Sequence, residues 1–297
     1  LTLKPGLFTA SGRDAAGTVW FDDLGADLSN GAASAWLAGA PAEVPRHHAS
    51  HKGSYGDVAV VGGAPGMAGA ALLAASAALH SGAGRVFACL LDGSSAGLAS
   101  TQPELMLRAA ETLDLSTMSV VCGCGGGSAV CAQLPRVLST AASLVLDADA
   151  LNAIATDPSL QTLLRHRTQR GAATVLTPHP LEAARLLSTN TAAVQTDRLR
   201  VAQQLADNYQ CTVVLKGSGS VVATPGITPS INPTGNARLA TAGTGDVLAG
   251  MVGAALAAGR SAPDAALTAV WHHGHLADQW PAKKPLTACA LAQSGYW

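Results

Sequence analysis

From residue 57 onward the chain alternates short apolar runs with turns of small residues and longer mixed segments. Residues 57–61 (DVAVV) form a β-rich run that enters a glycine-rich turn at 62–69 (GGAPGMAG). A helical pattern follows over 70–79 and stops at Ser81-Gly82-Ala83-Gly84, where glycine can adopt the left-handed conformation that ends a helix. Further apolar runs at 85–91, 119–122, 143–146, 174–176 and 212–215 read as strands. Each is short and continuous rather than alternating, as expected of strands covered on both faces. Strands separated by helical segments predict an α/β fold, with a mostly parallel central sheet and helices on both faces.

The polar chemistry collects where these runs end. Residues 119–122 lead into 123–127 (GCGGG), and 143–146 ends on Asp147. Residues 174–176 open onto TPHP at 177–180 and a helix over 181–187, and 212–215 opens onto Lys216-Gly217. Parallel sheets bind ligands at the carboxyl ends of their strands. The most informative stretch is 232–250 (NPTGNARLATAGTGDVLAG), in which Ala242-Gly243-Thr244-Gly245 precedes Asp246 and an apolar helix over 247–258. The first N–H groups of a helix lack internal partners, and with the helix dipole they form an anion hole suited to a transferring phosphoryl group. Asp246, one turn inside, is placed to take a proton from an attacking hydroxyl. An ordinary turn with an acidic residue on the helix dipole would explain Asp246, but not the Thr-Ala-Gly-Thr-Gly run before it. Lys216, at a strand end before glycine, reads as a phosphate contact in preference to a surface lysine.

Composition narrows the classes. The 297 residues suffice for one large α/β domain or two modest ones, and 48% hydrophobic against 12% charged residues excludes a disordered chain. With net charge −1 and no basic cluster, nucleic acid is excluded as a partner. Arg165, Arg167 and Arg170 read as a solvated helix end. The six cysteines include no CxxC pair, which fits reduced thiols better than a zinc site. The clusters His47/His48/His51 and His272/His273/His275 with Asp278 lack an HExxH pattern and read as packing or capping residues. The apolar stretches 64–79 and 247–258 fall short of the ~20 residues of a membrane span, and no signal segment opens the chain. The expectation is a soluble cytoplasmic protein with no membrane partner. Walker A and GxGxxG sequences are absent.

The 232–250 stretch resembles the GxGD phosphoryl-transfer motif of the ribokinase-like superfamily. Within it, residues 51–56 (HKGSYG), the 62–73 turn with 81–86 (SGAGRV), 147–152 (DADALN), 177–182 (TPHPLE) and Lys216-Gly217 are similar, in order and context, to the ADP/ATP-dependent NAD(P)H-hydrate dehydratases. The resemblance covers roughly residues 46–280. Two positions depart from the pattern: 123–127 reads GCGGG where the family usually has GPGLG, and Ala242 stands where glycine is common.

The resemblance implies a ribokinase-like fold that uses ADP or ATP, with Mg²⁺, to dehydrate the hydrated dinucleotides NADHX and NADPHX. Lys216, Gly217, Ser218, Gly219 and Ser220 would contact the nucleotide phosphates, together with Gly245. Gly243, Thr244 and Gly245 would form the anion hole, and Asp246 would be the base and touch the hydrated ring. Ala70, Gly127 and His179 would line the dinucleotide pocket, and Asp147 and Glu182 would hold Mg²⁺ directly or through water. The family's tetramers imply a homo-oligomer. A small-molecule kinase of the same fold, such as a hydroxyethylthiazole kinase, and a non-catalytic nucleotide-binding module are the rival readings.

The first 45 residues show no long periodicity, and 26–45 reads as a linker or loose helix. Residues 1–25 (LTLKPGLFTASGRDAAGTVWFDDLG) resemble the closing segment of the epimerase domain in bifunctional bacterial forms. The expected division is therefore 1–45, epimerase tail and linker, and 46–297, dehydratase domain. A chain that opens on Leu1 reads as a fragment or processed form. Residues 1–40 are expected to add little to the stability of the following domain, unless Trp20 and Phe21 dock on it.

Overall fold

The computed structural model describes residues 4–25, 33–42, 44–93 and 102–295. The apolar runs become strands, with bounds close to those read from the pattern. In chain order they are β1 (Trp36–Leu37), β2 (Asp57–Gly62), β3 (Arg85–Leu90), β4 (Met106–Leu107) and β5 (Ser119–Cys122). There follow β6 (Ser143–Leu146), β7 (Thr174–Leu176), β8 (Thr212–Leu215), β9 (Val221–Thr224) and β10 (Ile227–Ile231). They form one sheet in the order β1-β10-β9-β8-β7-β6-β5-β2-β3-β4. Only β9, between β8 and β10, is antiparallel to its neighbours among the described strands.

Side chains of successive strand residues leave on opposite faces, so the apolar runs feed two cores. Val58, Val60, Val121, Val145 and Val214 pack on one face, under α2 (Ala68–His80), α9 (Thr244–Ala257), α10 (Ala262–Asp278) and α11 (Ala288–Gln293). Ala59, Val61, Val120, Leu144, Leu146 and Val213 pack on the other. That face carries α3 (Val130–Thr140), α4 (Ala148–Thr156), α5 (Pro158–Gln169), α6 (Pro180–Leu186), α7 (Thr191–Thr196) and α8 (Arg198–Tyr209). No helix among the described residues is long and apolar enough to cross a membrane.

The first face owes its closeness to small residues. A Cβ on Gly250 of α9 would lie 2.1 Å from the carbonyl oxygen of Ala74 in α2, and one on Gly253 would lie 2.4 Å from Val121 Cγ2. Alanine favours the helix, and the missing side chains let α9 press against α2 and the sheet.

Several readings need correction. The β9–β10 hairpin and β1 escaped the pattern, and β1 falls inside the expected linker, of which residues 26–32 and 43 lie outside the described residues. Arg167 is not solvated but fully buried, donating to the carbonyls of Leu138 and Ala141 and to Thr174 Oγ1. The N-terminal segment also has contacts that the pattern did not disclose. Trp20 is 80% exposed and Phe21 42%, so these two are not what docks. Instead Phe8 packs on the core, and Ala10, which opens α1 (Ala10–Ala16), donates its N–H to the Ser218 carbonyl at 3.0 Å. Arg13 donates to the carbonyls of Pro233 and Gly235 at 2.6 and 2.9 Å.

Two stability outcomes follow. Gly250→Ala should destabilise the chain by about 1–3 kcal/mol, the usual cost of overpacking, seen as a lowered denaturation midpoint at unchanged slope. Deletion of residues 1–40 should lower the melting temperature, by about 2–4 °C for each kcal/mol of lost Phe8 and Arg13 contact; an unchanged melt would show that the segment's contacts carry no net stability.

Candidate active site

Four strand ends and one helix start converge. Asp147, directly after β6, is 1% exposed. Its Oδ1 accepts from Lys216 Nζ, after β8, at 2.6 Å and from the hydroxyl of Thr177, after β7, at 2.8 Å. Its Oδ2 lies 3.9 Å from Sγ of Cys124, in the turn after β5. That turn closes on Asp147 because Gly123 adopts φ 120°, where a Cβ would stand 1.9 Å from the Asp147 carbonyl oxygen. Burial works against the charge of Lys216, but the carboxylates of Asp147 and Glu182 outweigh it and hold the ammonium above its usual range.

The start of α9 faces this pair. Gly243 precedes it with φ 89°. Thr244 turns inward: its N–H donates to Thr241, and its hydroxyl to the carbonyls of Leu239 and Thr241. The Val247 N–H returns to the Gly243 carbonyl. The N–H groups of Gly243, Gly245 and Asp246 have no partner among the described residues. They lie where the sequence leads one to expect an anion hole, at Gly243–Gly245. A Cβ on Gly245 would lie 3.3 Å from Lys216 Nζ, so the ammonium stands beside those donors. His273 anchors the turn from below through Nε2 and the Thr244 carbonyl, 2.9 Å apart, and burial lowers its pKa to about 4, so the ring is neutral near pH 7.

Asp246 is pushed up to about 6, by burial first and the nearby Asp147 carboxylate second, with Cys124 and Lys216 pulling the other way. Potential ligand atoms of Cys124, Asp147 and Asp246 lie within 4.8 Å of one another.

His179 and Glu182 form a capping box at the start of α6. His179 Nδ1 accepts from the N–H groups of Leu181 and Glu182, while Glu182 Oε2 accepts from the His179 N–H at 2.7 Å. Nε2 lies 3.2 Å from Glu182 Oε1. Burial lifts Glu182 to about 7, and burial together with Lys216 lowers His179. Ala70 and Gly127 come together through the 123–127 turn and Met67, outside the lining of the cavity beside the helix tip: Cβ atoms built on Gly125 and Gly127 would lie 2.9 Å from Ala70 Cβ and 3.0 Å from Met67 Cε. The Gly127 N–H donates to Asp149 Oδ2 at 2.8 Å.

Beside the helix tip opens a cavity of about 600 Å³, lined by Lys216, Gly217, Ser218, Ser220, Thr244 and Gly245. Gly219 lies behind this wall, where a Cβ would meet the Phe8 carbonyl at 1.9 Å. Asn232, Thr234 and His273 also line it, with Arg13 and Asp14 of the N-terminal segment. The sequence reading did not single out these five for the site. Their part depends on how β10, α10 and α1 come together, which no local motif encodes.

Residues 58–294 match the family model described as NAD(P)H-hydrate dehydratase. The chain belongs to this family. It is 44% identical, over 77% of its length and 78% of the relative's, to the ADP-dependent (S)-NAD(P)H-hydrate dehydratase of Neisseria meningitidis. It is 38% identical, over 94% of its length, to the bifunctional NAD(P)H-hydrate repair enzyme Nnr of Escherichia coli, of which it spans 55%. The chain therefore covers about half the length of the bifunctional relatives it matches. Among solved structures, the ADP/ATP-dependent NAD(P)H-hydrate dehydratase of Bacillus subtilis, co-crystallised with ATP/Mg²⁺, superposes with TM-score 0.71 and 31% identity. That match covers 84% of this chain and 91% of the other, and it makes the fold ribokinase-like.

The Mg²⁺ expected from the family does not find a protein cage here. Magnesium demands oxygen ligands in near-octahedral array. Asp147 already holds an ammonium and a hydroxyl, Glu182 is taken up by its capping box, and the group nearest in space brings a thiol instead of Glu182. These residues do not fit a directly held Mg²⁺.

The Lys216–Asp147 pair gives a double-mutant test. Lys216→Met leaves a buried carboxylate without its cation and should cost about 3–5 kcal/mol, while adding Asp147→Asn should recover much of the loss. Additive losses in the denaturation cycle would refute the coupling.

Proposed function

We propose that this chain restores NADH and NADPH from their hydrates at the expense of ADP or ATP, with Asp246 as the base. The observation that carries this reading is the meeting of three features at one point. Lys216 and Gly245 line the 600 Å³ cavity, Asp246 with a pKa of about 6 follows Gly245 directly, and the N–H groups of Gly245 and Asp246 have no partner among the described residues. Membership in the dehydratase family supplies the substrate class.

The hydrate carries a hydroxyl on carbon 6 of the reduced ring, and hydroxide is a poor leaving group at neutral pH. Asp246 takes the hydroxyl proton as the oxygen attacks the terminal phosphorus, and the bond from that phosphorus to the rest of the nucleotide breaks. The Gly245 and Asp246 N–H groups and Lys216 offset the charge on the transferring group. The ring nitrogen's lone pair then expels phosphate, and the adjacent carbon gives up a proton to restore the ring double bond. Lys216 and the 217–220 loop hold the nucleotide, while Ala70, Gly127 and the exposed side of His179 bound the dinucleotide. A kinase of this fold would stop at the phosphoester; release of inorganic phosphate with recovery of reduced-ring absorbance distinguishes the two.

Because the base acts ionised, turnover should fall as pH drops through about 6, where Asp246 gains its proton. Asp246→Asn should abolish that limb and lower turnover by ~10²–10⁴ while leaving ADP binding in place. Near-normal phosphate release by the variant would overturn the assignment.

A further inference from the structure

The 216–220 loop is held from beneath by a cation that no anion among the described residues balances. Arg198, the first residue of α8, is 4% exposed. Its Nη2 donates to the carbonyls of Leu215 and Lys216 at 3.0 and 3.1 Å and reaches toward Gly219 O at 3.5 Å. Its Nη1 donates to Gln195 Oε1 at 2.9 Å, and Nε has no partner among the described residues. Gly217, at φ 134°, lies flat against the guanidinium, where a Cβ would stand 3.1 Å from Nη1. No described carboxylate pairs with it. Burial alone lowers its pKa, to about 10, so it remains charged near pH 7.

Burying a guanidinium without a counter-ion costs several kcal/mol, and carbonyl dipoles repay only part of that. The unbalanced charge lies directly behind a loop whose other surface lines the 600 Å³ cavity. Arg167 shows what a purely structural version looks like. It is equally buried and equally without a carboxylate, but it staples Leu138, Ala141 and Thr174 at the amino end of β7, away from the cavity.

We propose that Arg198 is the positioning residue of the nucleotide phosphate site, fixing the 216–220 loop and supplying a fixed positive charge that the phosphates balance. The inference rests on the cavity being the nucleotide pocket. Arg198 need not touch the nucleotide: its three carbonyl partners orient Lys216 and Gly217, and its charge acts through the thin glycine backbone. It recognises the polyanionic part of the co-substrate and is indifferent to the nucleoside.

The test is calorimetric binding of ADP and of uncharged adenosine to the full chain and to the R198K, R198M and R167M variants, with melting curves for each. R198M should weaken ADP about tenfold, the worth of losing one charge-assisted contact, and leave adenosine within about twofold. R198K, which keeps the charge but not the planar fork, should recover part of the ADP affinity and raise the KM for ADP more than it lowers kcat. R167M should lower the melting temperature without separating the two ligands. Equal weakening of ADP and adenosine, or an unchanged ADP affinity, would overturn the proposal. If R198M does not fold, R198K decides by the same comparison. A wild-type chain that binds adenosine or ADP nowhere would overturn the pocket reading itself, and this inference with it.

Discussion

The buried pair between Lys216 and Asp147 is the contact around which the site is arranged. It ties the end of β8 to the end of β6, and Thr177 adds the end of β7. Two charges this far from water cost more than they return unless other groups finish their hydrogen bonds, and Thr177 contributes to that here. The result is a cation held beside the tip of α9 and a fixed anion beside Asp246. Burial first, and that anion second, hold the pKa of Asp246 up to about 6.

Much of this was legible in residue order. The runs at 119–122, 143–146, 174–176 and 212–215 are continuous and apolar because both faces of the sheet are covered, so the pattern and the strands coincide. The residues that follow them point to chemistry since a strand end is a fixed position. What could not be read was tertiary. β10 (ITPSI) is half polar and carries a proline, and β1 is two residues long, so neither offers a pattern. Arg167 sits among charged neighbours, and only packing under α3 and β7 shows it to be internal. His273 belongs to a cluster that suggested packing or capping, and it does anchor a turn, but that turn is the active-site helix start.

Thr244 shows how a motif can place a residue without placing its side chain. Its position puts Thr244 in the expected anion hole, and its hydroxyl secures the Leu239 and Thr241 carbonyls, while the N–H groups of Gly245 and Asp246 are left without a partner among the described residues. Likewise the TPHP segment offers an imidazole for the substrate, and the structure uses its Nδ1 to start α6. The departure at Cys124 has a physical cost of its own: full burial beside two carboxylates keeps the thiol protonated and far from the reactive thiolate range.

The close seating of α9 has a consequence for how the site responds to ligands. Gly250 and Gly253 wedge the helix between α2 and β5, and its tip carries the Gly245 and Asp246 N–H groups about 6–12 Å further along the axis, at 1.5 Å per residue. A rod gripped so tightly in its middle cannot slide or tilt to meet an incoming phosphate. The donors wait in place, and the 216–220 loop that faces them is itself pinned by Arg198. Under the proposed reading both walls are set before a phosphate arrives, so little of the binding energy goes into reorganising them.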